Sequence, residues 1–239
     1  DVKKCLLSNF ARKEDLSTLI REMEGQSVTP ASILCEKLPV PPFYGSLAVY
    51  YGSMKSGKTS KLLSLVDGCI YSGKKVLYVS SRLDTREIFN GHEAVSSHRL
   101  HFVSSATSFE QIKVDKLEEV KYETYDTIFV DECQFFTDLV VTCLKWLRSG
   151  IEIAVAGLDL TYEGEAFGQT LSLIQYATFV KKLYGCCEVC KRLGYKMSPN
   201  STHTYRRGTR SDLILIDDSQ YEACCFYHFE NHPESVTDC

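Results

Sequence analysis

The sequence lacks any long uncharged apolar run. Its longest stretch without a charged residue, Leu38 to Met54, holds three prolines and two glycines, so we expect no membrane span. No apolar signal region opens the chain, and no repeat or low-complexity tract interrupts its 239 residues. Apolar residues make up 44% and charged residues 24%, which excludes a disordered chain, a collagen and a coiled coil. The composition predicts a soluble globular protein.

An excess of positive charge is also missing. The chain has 27 Lys+Arg against 31 Asp+Glu, a net charge of −4, so we expect no nucleic-acid partner and no anionic membrane partner. Cysteine, by contrast, is abundant, with 11 residues and therefore an odd number. In a chain of this length, that number favours metal-binding or buried thiols in a reducing compartment, and hence a cytoplasmic location.

Changes of sequence texture predict four regions. Residues 1–45 form an N-terminal extension, with one amphipathic helix around Leu16–Met23 and a proline-rich linker. Residues 46–182 alternate apolar strands with helical patterns, which predicts an α/β domain built on a parallel sheet. Residues 183–230 are short polar segments rich in Cys and Tyr, and predict a second, small domain; residues 231–239 form a tail.

Particular segments of the α/β region are assigned to strands and helices. The predicted strands are Leu47–Tyr51, Lys75–Ser80, Asp126–Val130 and Glu152–Ala156. The predicted helices are Ser60–Tyr71, Phe109–Glu119 and Thr137–Arg148.

A phosphate-binding loop follows the first predicted strand. The pattern GxxxxGK[ST] is matched by Gly52, Ser53, Met54, Lys55, Ser56, Gly57, Lys58 and Thr59. Its glycines let successive N–H groups point at one anion, and the start of the following helix adds partial positive charge. We expect Lys58 to reach the β- and γ-phosphates of ATP and the Thr59 hydroxyl to ligate Mg²⁺.

The third predicted strand, Asp126–Val130, is followed by two carboxylates, Asp131 and Glu132. In enzymes with such a loop, an Asp at this position holds Mg²⁺, and a following Glu orients or deprotonates the nucleophile. Both motifs are expected at the carboxyl edge of the sheet, where ligands bind. The pair leaves the nucleophile open, because water would make an ATPase and a substrate hydroxyl a kinase.

Four residues of the small region have metal-ligand spacing. Cys187-x2-Cys190 and Cys225-x2-His228 are two pairs suited to tetrahedral Zn²⁺. A closed set of four protein ligands predicts a structural site rather than a catalytic one. The neighbouring Cys186 and Cys224 are out of register and are interpreted as non-ligands.

The ordered set of motifs resembles the type II thymidine kinases, a zinc-containing family. The resemblance covers about Ser46 to Phe229 and rests on the phosphate loop, the two metal pairs and three further segments. These segments are Asp84–Arg86 (DTR), Asp131–Phe136 (DECQFF) and Gly157–Gly168 (GLDLTYEGEAFG).

The resemblance implies a RecA-like P-loop domain with a small zinc-binding lobe, whose lasso-like loop closes over the nucleoside. It implies transfer of the γ-phosphoryl group of ATP to the 5′-hydroxyl of thymidine, commonly by a homotetramer. Glu132 matches the catalytic base and Asp131 the magnesium-associated acid, while Lys58 and Arg86 supply positive charge to the transferred group.

Further site residues follow from the same resemblance. On the ATP and magnesium side they are Asp84, Thr85, Arg86 and Gln134. On the thymine side they are Met54, Phe135, Leu158, Tyr162, Phe167, Leu213, Leu215, Ile216, Asp217 and Tyr221. Read from the residues alone, Phe135, Phe136 and Tyr221 are equally typical of plain packing.

Two departures from the family pattern bear on function. Lys55 occupies a loop position that is often aromatic or apolar, and so adds a positive charge beside the phosphates. Asp217 and Asp218 stand where the family usually has a pair of glycines close to the base. Buried carboxylates are costly unless solvated or paired, so the loop is redrawn, the base specificity is changed or activity is lost. Two other functions therefore stay open: a P-loop ATPase in which Glu132 activates water, and a non-catalytic nucleotide-binding relative.

Overall fold

The computed structural model describes residues 44–84, 109–195, 199–207 and 220–233. These residues belong to one compact unit that spans Phe43–Cys239. The predicted N-terminal helix and its linker lie outside the described residues. Within the described ranges, no helix combines the length and the apolar character needed to cross a bilayer. The predicted boundary between residues 182 and 183 falls inside the compact unit and stays a prediction.

A six-stranded parallel sheet forms the centre of the molecule. Its strands are β1 Leu47–Tyr51, β2 Val76–Ser81, β3 Phe109–Val114, β4 Thr127–Val130, β5 Glu152–Gly157 and β6 Phe179–Lys182. They lie in the order β3-β2-β4-β5-β1-β6, and every neighbouring pair is parallel. The predicted α/β fold with a parallel sheet is therefore confirmed. Because β5 lies between β4 and β1, the phosphate loop and the acidic strand end stand one strand apart at the same edge.

Apolar clusters cover both faces of the sheet, as continuous apolar strands require. Helix α1, Lys58–Tyr71, buries Leu62, Val66 and Ile70, which recur every four residues and pack on one face. Helix α2, Leu139–Arg148, buries Trp146 in the cluster on the other face. These two layers fix the orientation of the strands, and so the edge at which the loops between strands and helices meet.

The helix predicted at Phe109–Glu119 is wrong. The segment forms β3, followed by a 3₁₀ turn at Leu117–Glu119. All six residues of β3 pair with β2 in parallel register. Its apolar residues are spaced by three and then two, a pattern that does not separate helix from strand, so pairing with the edge of β2 decides. Strand β6 was not predicted either.

A small lobe of short elements follows β6, and we call the described residues from 185 to 230 the Cys/His lobe. It contains β7 Gly185–Cys186, β8 Asn200–Ser201, β9 His203–Arg206 and β10 Tyr221–Cys224, with a two-residue antiparallel ladder between β7 and β8 and a longer one between β9 and β10. Helix α3, Thr170–Leu173, lies between β5 and β6 in the chain; within the lobe lie α4, Glu188–Arg192, and α5, Phe226–Glu230.

Candidate active site

The phosphate loop connects β1 to α1 in a conformation that only glycine permits at its first position. Gly52 has φ +149°, and a Cβ there would lie 2.1 Å from the carbonyl oxygen of Leu183. The Lys58 ammonium curls over the loop and donates a hydrogen bond to the carbonyl oxygen of Ser53 at 2.8 Å. Its side chain is buried, at 6% exposure. The main chain of the loop thus wraps around the ammonium group of this lysine.

Thr59 and Asp131, predicted from separate motifs, are brought into direct contact. The Thr59 hydroxyl donates to Oδ2 of Asp131 at 2.9 Å, and the Tyr78 hydroxyl donates to the same oxygen at 2.9 Å. The other carboxylate oxygen accepts from the main-chain N–H of Glu132 at 3.0 Å. Asp131 is 1% exposed, and these three donors offset the cost of burying its charge.

Glu132 stands at a strained position directly after Asp131. Its backbone is left-handed, with φ +48°, which a residue with a Cβ rarely adopts and which is typical of functional sites. Its Oε2 accepts from the side-chain N–H of Gln134 at 2.6 Å, and the side-chain oxygen of Gln134, Oε1, accepts from the N–H of Leu158 at 3.0 Å. The Glu132 carboxylate is therefore tied, through Gln134, to the end of β5.

The two phenylalanines after Glu132 have different surroundings. Phe136 is fully buried in the core beneath the sheet. Phe135 is half-buried and meets the edge of Phe167 at a ring separation of 5.8 Å. The predicted site residues Phe135 and Phe167 therefore pack against each other, whereas Phe136 is a core residue. Tyr162, also half-buried, lies with its ring 5.2 Å from the Arg206 guanidinium, a distance at which a cation interacts with an aromatic face.

Part of the predicted site falls outside the described residues. This applies to Thr85 and Arg86, and to the predicted base-contacting residues Leu213, Leu215, Ile216 and Asp217. Asp84 is described and buried just after β2, where its carbonyl oxygen accepts from Lys113 at 2.6 Å.

The four predicted metal ligands lie together. Ligand atoms of Cys187, Cys190, Cys225 and His228 are all within 4.8 Å of one another, and all four residues are buried. Nδ1 of His228 lies 3.5, 3.2 and 3.4 Å from the three sulfur atoms. Tetrahedral coordination with Zn–S about 2.3 Å and Zn–N about 2.0 Å separates sulfur from nitrogen by roughly 3.5 Å. The donor set and its spacing therefore fit a zinc ion.

The buried carboxylate of Glu222 on β10 is surrounded by basic side chains. Glu222 accepts from Arg207 at 3.0 Å and from His232 at 3.1 Å, and pairs with Arg192. Burial raises the pKa of Glu222, but hydrogen bonds from Arg207 and His232 and the arginine charges outweigh it, so the pKa is lowered. The N–H of Arg207 donates to the carbonyl oxygen of Gln220 at 2.8 Å. Arg207, just after β9, and Gln220, just before β10, are thus joined next to the β9–β10 ladder.

Comparison with known proteins shows the family of this chain. The family model for thymidine kinase matches residues 45–229. The chain belongs to the thymidine kinase family. It is 32% identical to a thymidine kinase of Mycoplasma mobile, over 80% of this chain and 91% of that protein. It is 30% identical to the cytosolic thymidine kinase of Gallus gallus, over 80% of each chain, and 33% identical to thymidine kinase a of Arabidopsis thaliana, over 79% of this chain and 76% of that one.

One solved structure is a distant match. The flagellar accessory protein FlaH of Methanocaldococcus jannaschii gives a TM-score of 0.41 at 15% identity, covering 71% of this chain and 75% of that one. A likeness this remote has no bearing on the function of the thymidine kinase family member described here.

Two residues of this family member's site could not be assigned from local pattern. Tyr78 lies within an apolar strand, and its only signal is that a buried hydroxyl needs a partner. Glu188 lies between two predicted metal ligands, yet it accepts two hydrogen bonds from the Lys55 ammonium, each at 2.9 Å. The charge that Lys55 was expected to add beside the phosphates is directed instead to the Cys/His lobe.

Proposed function

We propose that this protein transfers the γ-phosphoryl group of ATP to the 5′-hydroxyl of thymidine, giving thymidine monophosphate and ADP. The contact between Thr59 and Asp131 carries this proposal, because it joins the phosphate loop to the acidic strand end at the sheet edge where ligands bind. Glu132, next to Asp131 and held by Gln134, is then the group that accepts the proton of the attacking hydroxyl.

Phosphoryl transfer depends on positioning and on charge neutralisation. Gly52 to Thr59 would hold the phosphates with main-chain N–H groups, and Lys58 would move from Ser53 to the β- and γ-phosphates. Thr59 and Asp131 provide the oxygen ligands that Mg²⁺ prefers, and Mg²⁺ would supply further charge neutralisation there. Asp84, Thr85 and Arg86 are proposed on the same side, with Arg86 adding positive charge.

The thymine pocket is proposed around the aromatic pair Phe135 and Phe167. A flat base needs apolar and aromatic walls, and this pair is half-buried rather than enclosed in the core. Beside the pair, the proposed pocket includes Met54, Leu158, Tyr162 and Tyr221, and the segment with Leu213, Leu215, Ile216 and Asp217. Asp217 and Asp218 stand in the sequence where the family usually has two glycines close to the base. The preference for thymidine over deoxycytidine is therefore tested directly below.

The metal centre is proposed to hold Zn²⁺ as a structural ion. Four buried protein ligands leave no open position for substrate, which is the arrangement of structural rather than catalytic zinc. The N–H of Cys190 donates to Sγ of Cys187. Burial raises the pKa of the Cys187 thiol, but hydrogen bonds, including those from Cys190 and Cys225, lower it overall, which favours the thiolate that zinc binds.

ADP release from ATP and Mg²⁺ tests the reaction, measured without nucleoside, with thymidine and with deoxycytidine. The proposal requires release that depends on thymidine, with thymidine monophosphate formed in equal amount. Release without any nucleoside would identify a water-activating ATPase, and no release with either nucleoside would identify a non-catalytic relative.

The variant Glu132→Gln tests the role of the proposed base. It removes the proton acceptor while keeping the size of the side chain, so we expect ATP to bind normally and kcat to fall by about 10² to 10⁴. ATP affinity by calorimetry and kcat by ADP release separate the two effects. Turnover at the wild-type rate would exclude Glu132 as the base.

Assembly and location are proposed from the family. We propose a homotetramer, tested by light scattering after gel filtration; a monomer at working concentration would refute it. We propose a cytoplasmic location, supported by the name of the Gallus gallus relative and by thiolate ligands that need a reducing environment. The division into an α/β domain over 46–182 and a small domain over 183–230 is kept as part of this proposal.

A further inference from the structure

The tip of the phosphate loop is attached to the Cys/His lobe by three successive residues. The Ser53 hydroxyl lies 2.9 Å from the hydroxyl of Ser201, and the N–H of Met54 donates to the Thr204 hydroxyl at 3.2 Å. The Lys55 ammonium donates to both carboxylate oxygens of Glu188 at 2.9 Å. The loop, which begins at β1 and ends at α1, is therefore also held by the lobe that carries the metal ligands.

The backbone at Lys55 is in the left-handed region, with φ +58°, which a residue with a Cβ rarely adopts. Such a conformation persists where the surrounding contacts determine it. One contact is main-chain: the Lys55 carbonyl oxygen lies so near Gly185 that a Cβ on the glycine would stand 2.8 Å from it. The second is the side-chain pair with Glu188. Both originate in the Cys/His lobe.

Glu188 is itself firmly held. It begins α4, between the ligands Cys187 and Cys190, and its Oε2 accepts from the N–H of Ala223 on β10 at 2.8 Å. Lys55 also donates to the carbonyl oxygen of Tyr221 on β10 at 3.3 Å. The lysine thus reaches two elements that the metal ligands hold together, and its charge is neutralised there.

We propose that the pair of Lys55 and Glu188 is a latch by which the Cys/His lobe positions the phosphate loop for ATP. This inference rests on the proposed function only in that the loop binds the phosphates of ATP. Lys55 and Glu188 are positioning residues, and metal binding in the lobe supports ATP binding through them. In the opposing hypothesis Lys55 contacts the phosphates directly, and Glu188 competes with them for its charge.

The variant Glu188→Gln separates the two hypotheses by the sign of its effect. If the pair is a latch, the loop loosens and the Kd for ATP rises by about two- to fivefold, the range of a partly exposed ion pair. If Lys55 binds phosphate directly, the variant releases it and ATP binds more tightly. A Kd for ATP that falls, or that does not change, overturns the proposal.

Hydrogen exchange of the nucleotide-free protein gives a readout that needs no ATP. We expect the amides of residues 52–59 to exchange faster in Glu188→Gln than in wild type; equal rates overturn the latch. The matched control is Glu152→Gln, which breaks the 2.6 Å ion pair with Lys74 at the opposite edge of the sheet. That pair has a similar exposure, 35% and 46% against 44% and 36%, and its loss should leave loop exchange and ATP affinity unchanged.

The variant Lys55→Met provides a test that leaves the lobe intact. If elemental analysis shows that Glu188→Gln has lost zinc, the test passes to Lys55→Met with full zinc content. Hydrogen exchange of the amides of residues 52–59 must then be faster in Lys55→Met than in wild type, and equal rates overturn the proposal. Where both single variants keep zinc, the Kd for ATP of the double variant must not exceed the higher Kd of the two single variants. The reason is that each substitution removes the same interaction, the pair of Lys55 and Glu188. Multiplied effects would contradict a shared latch. Wild-type protein that binds ATP without phosphorylating thymidine would refute the proposed function and leave this test intact.

Discussion

Replacing Gln134 by Met tests whether this side chain aligns the proposed base. Gln134 is 4% exposed and donates to the Glu132 carboxylate at 2.6 Å while accepting from the N–H of Leu158 at 3.0 Å. Methionine keeps the approximate volume and removes both hydrogen bonds. Glu132 would retain its charge but lose the donor that fixes its orientation above a strained backbone.

The expected magnitude follows from the bond that is lost. A hydrogen bond to a charged group contributes about 1.5–3 kcal/mol. Since each 1.36 kcal/mol corresponds to a tenfold change in rate, a loss expressed fully in the transition state lowers kcat roughly 10- to 100-fold. The KM for ATP should stay within about twofold of wild type, because no phosphate-loop contact changes. Stability should fall by about 1 kcal/mol, because the Leu158 N–H loses its acceptor.

Steady-state kinetics with ATP and thymidine, together with thermal unfolding, measure these effects. The matched control is Gln169→Met. Gln169 also donates one side-chain hydrogen bond and accepts one, to the Thr137 carbonyl oxygen at 2.6 Å and from the Val140 N–H at 2.9 Å, but its acceptor is neutral and neither bond involves Glu132. It should lower the Tm similarly and keep kcat within about twofold. A wild-type kcat in Gln134→Met would refute the alignment role.

Three further predictions concern stability and metal content. Gly168→Ala should lower the free energy of unfolding by more than about 2 kcal/mol, because φ is +57° and the new Cβ would lie 2.3 Å from a main-chain carbonyl oxygen. The control Gly73→Ala has φ +77° but open space around it, and should cost only about 1 kcal/mol. Equal costs in chemical denaturation would contradict the steric argument. Cys225→Ser should abolish zinc binding in elemental analysis and raise the KM for thymidine, while Cys186→Ser, an exposed neighbour outside the ligand set, should keep both unchanged; zinc retained by the first variant would argue against four-ligand coordination. Burial and the charge of Lys182 lower the pKa of His203, against the opposing effect of Asp159 and Glu230. Its contribution to stability is therefore complete above the ordinary histidine pKa of about 6.5 and is lost as the pH falls from that value through the lowered pKa. His203→Phe should lose less Tm than wild type between about pH 7.5 and 5.5, and a greater loss in the variant would contradict this direction of the pKa shift.

Residues with a local signal were assigned correctly in most of the sheet. Strand β1 matches its predicted bounds, β4 and β5 each differ from theirs by one residue at one end, and β2 lies one residue later than predicted at both ends. The exception, Phe109–Glu119, shows the limit of periodicity: its apolar residues fit either element, and only the free edge of β2 selects a strand. Helix α2 was predicted to begin at Thr137 but begins at Leu139. Here too a distant contact decides, because the Asp138 carboxylate accepts from the N–H groups of Leu117 and Glu118, and the helix begins after it.

The amino-acid sequence alone specifies which chemical groups this protein has and where along the chain they stand: the phosphate loop, the two carboxylates after a buried strand, and four metal-ligating side chains in two pairs. These are local patterns, because each motif depends on residues within one turn or one strand end. What those groups contact, in contrast, follows from the three-dimensional packing of the chain. The bond from Gln134 to Glu132 needs a left-handed turn after β4, and the pair of Lys55 and Glu188 joins residues 133 positions apart. Contacts of that range depend on how sheet and lobe pack together, which no local spacing specifies.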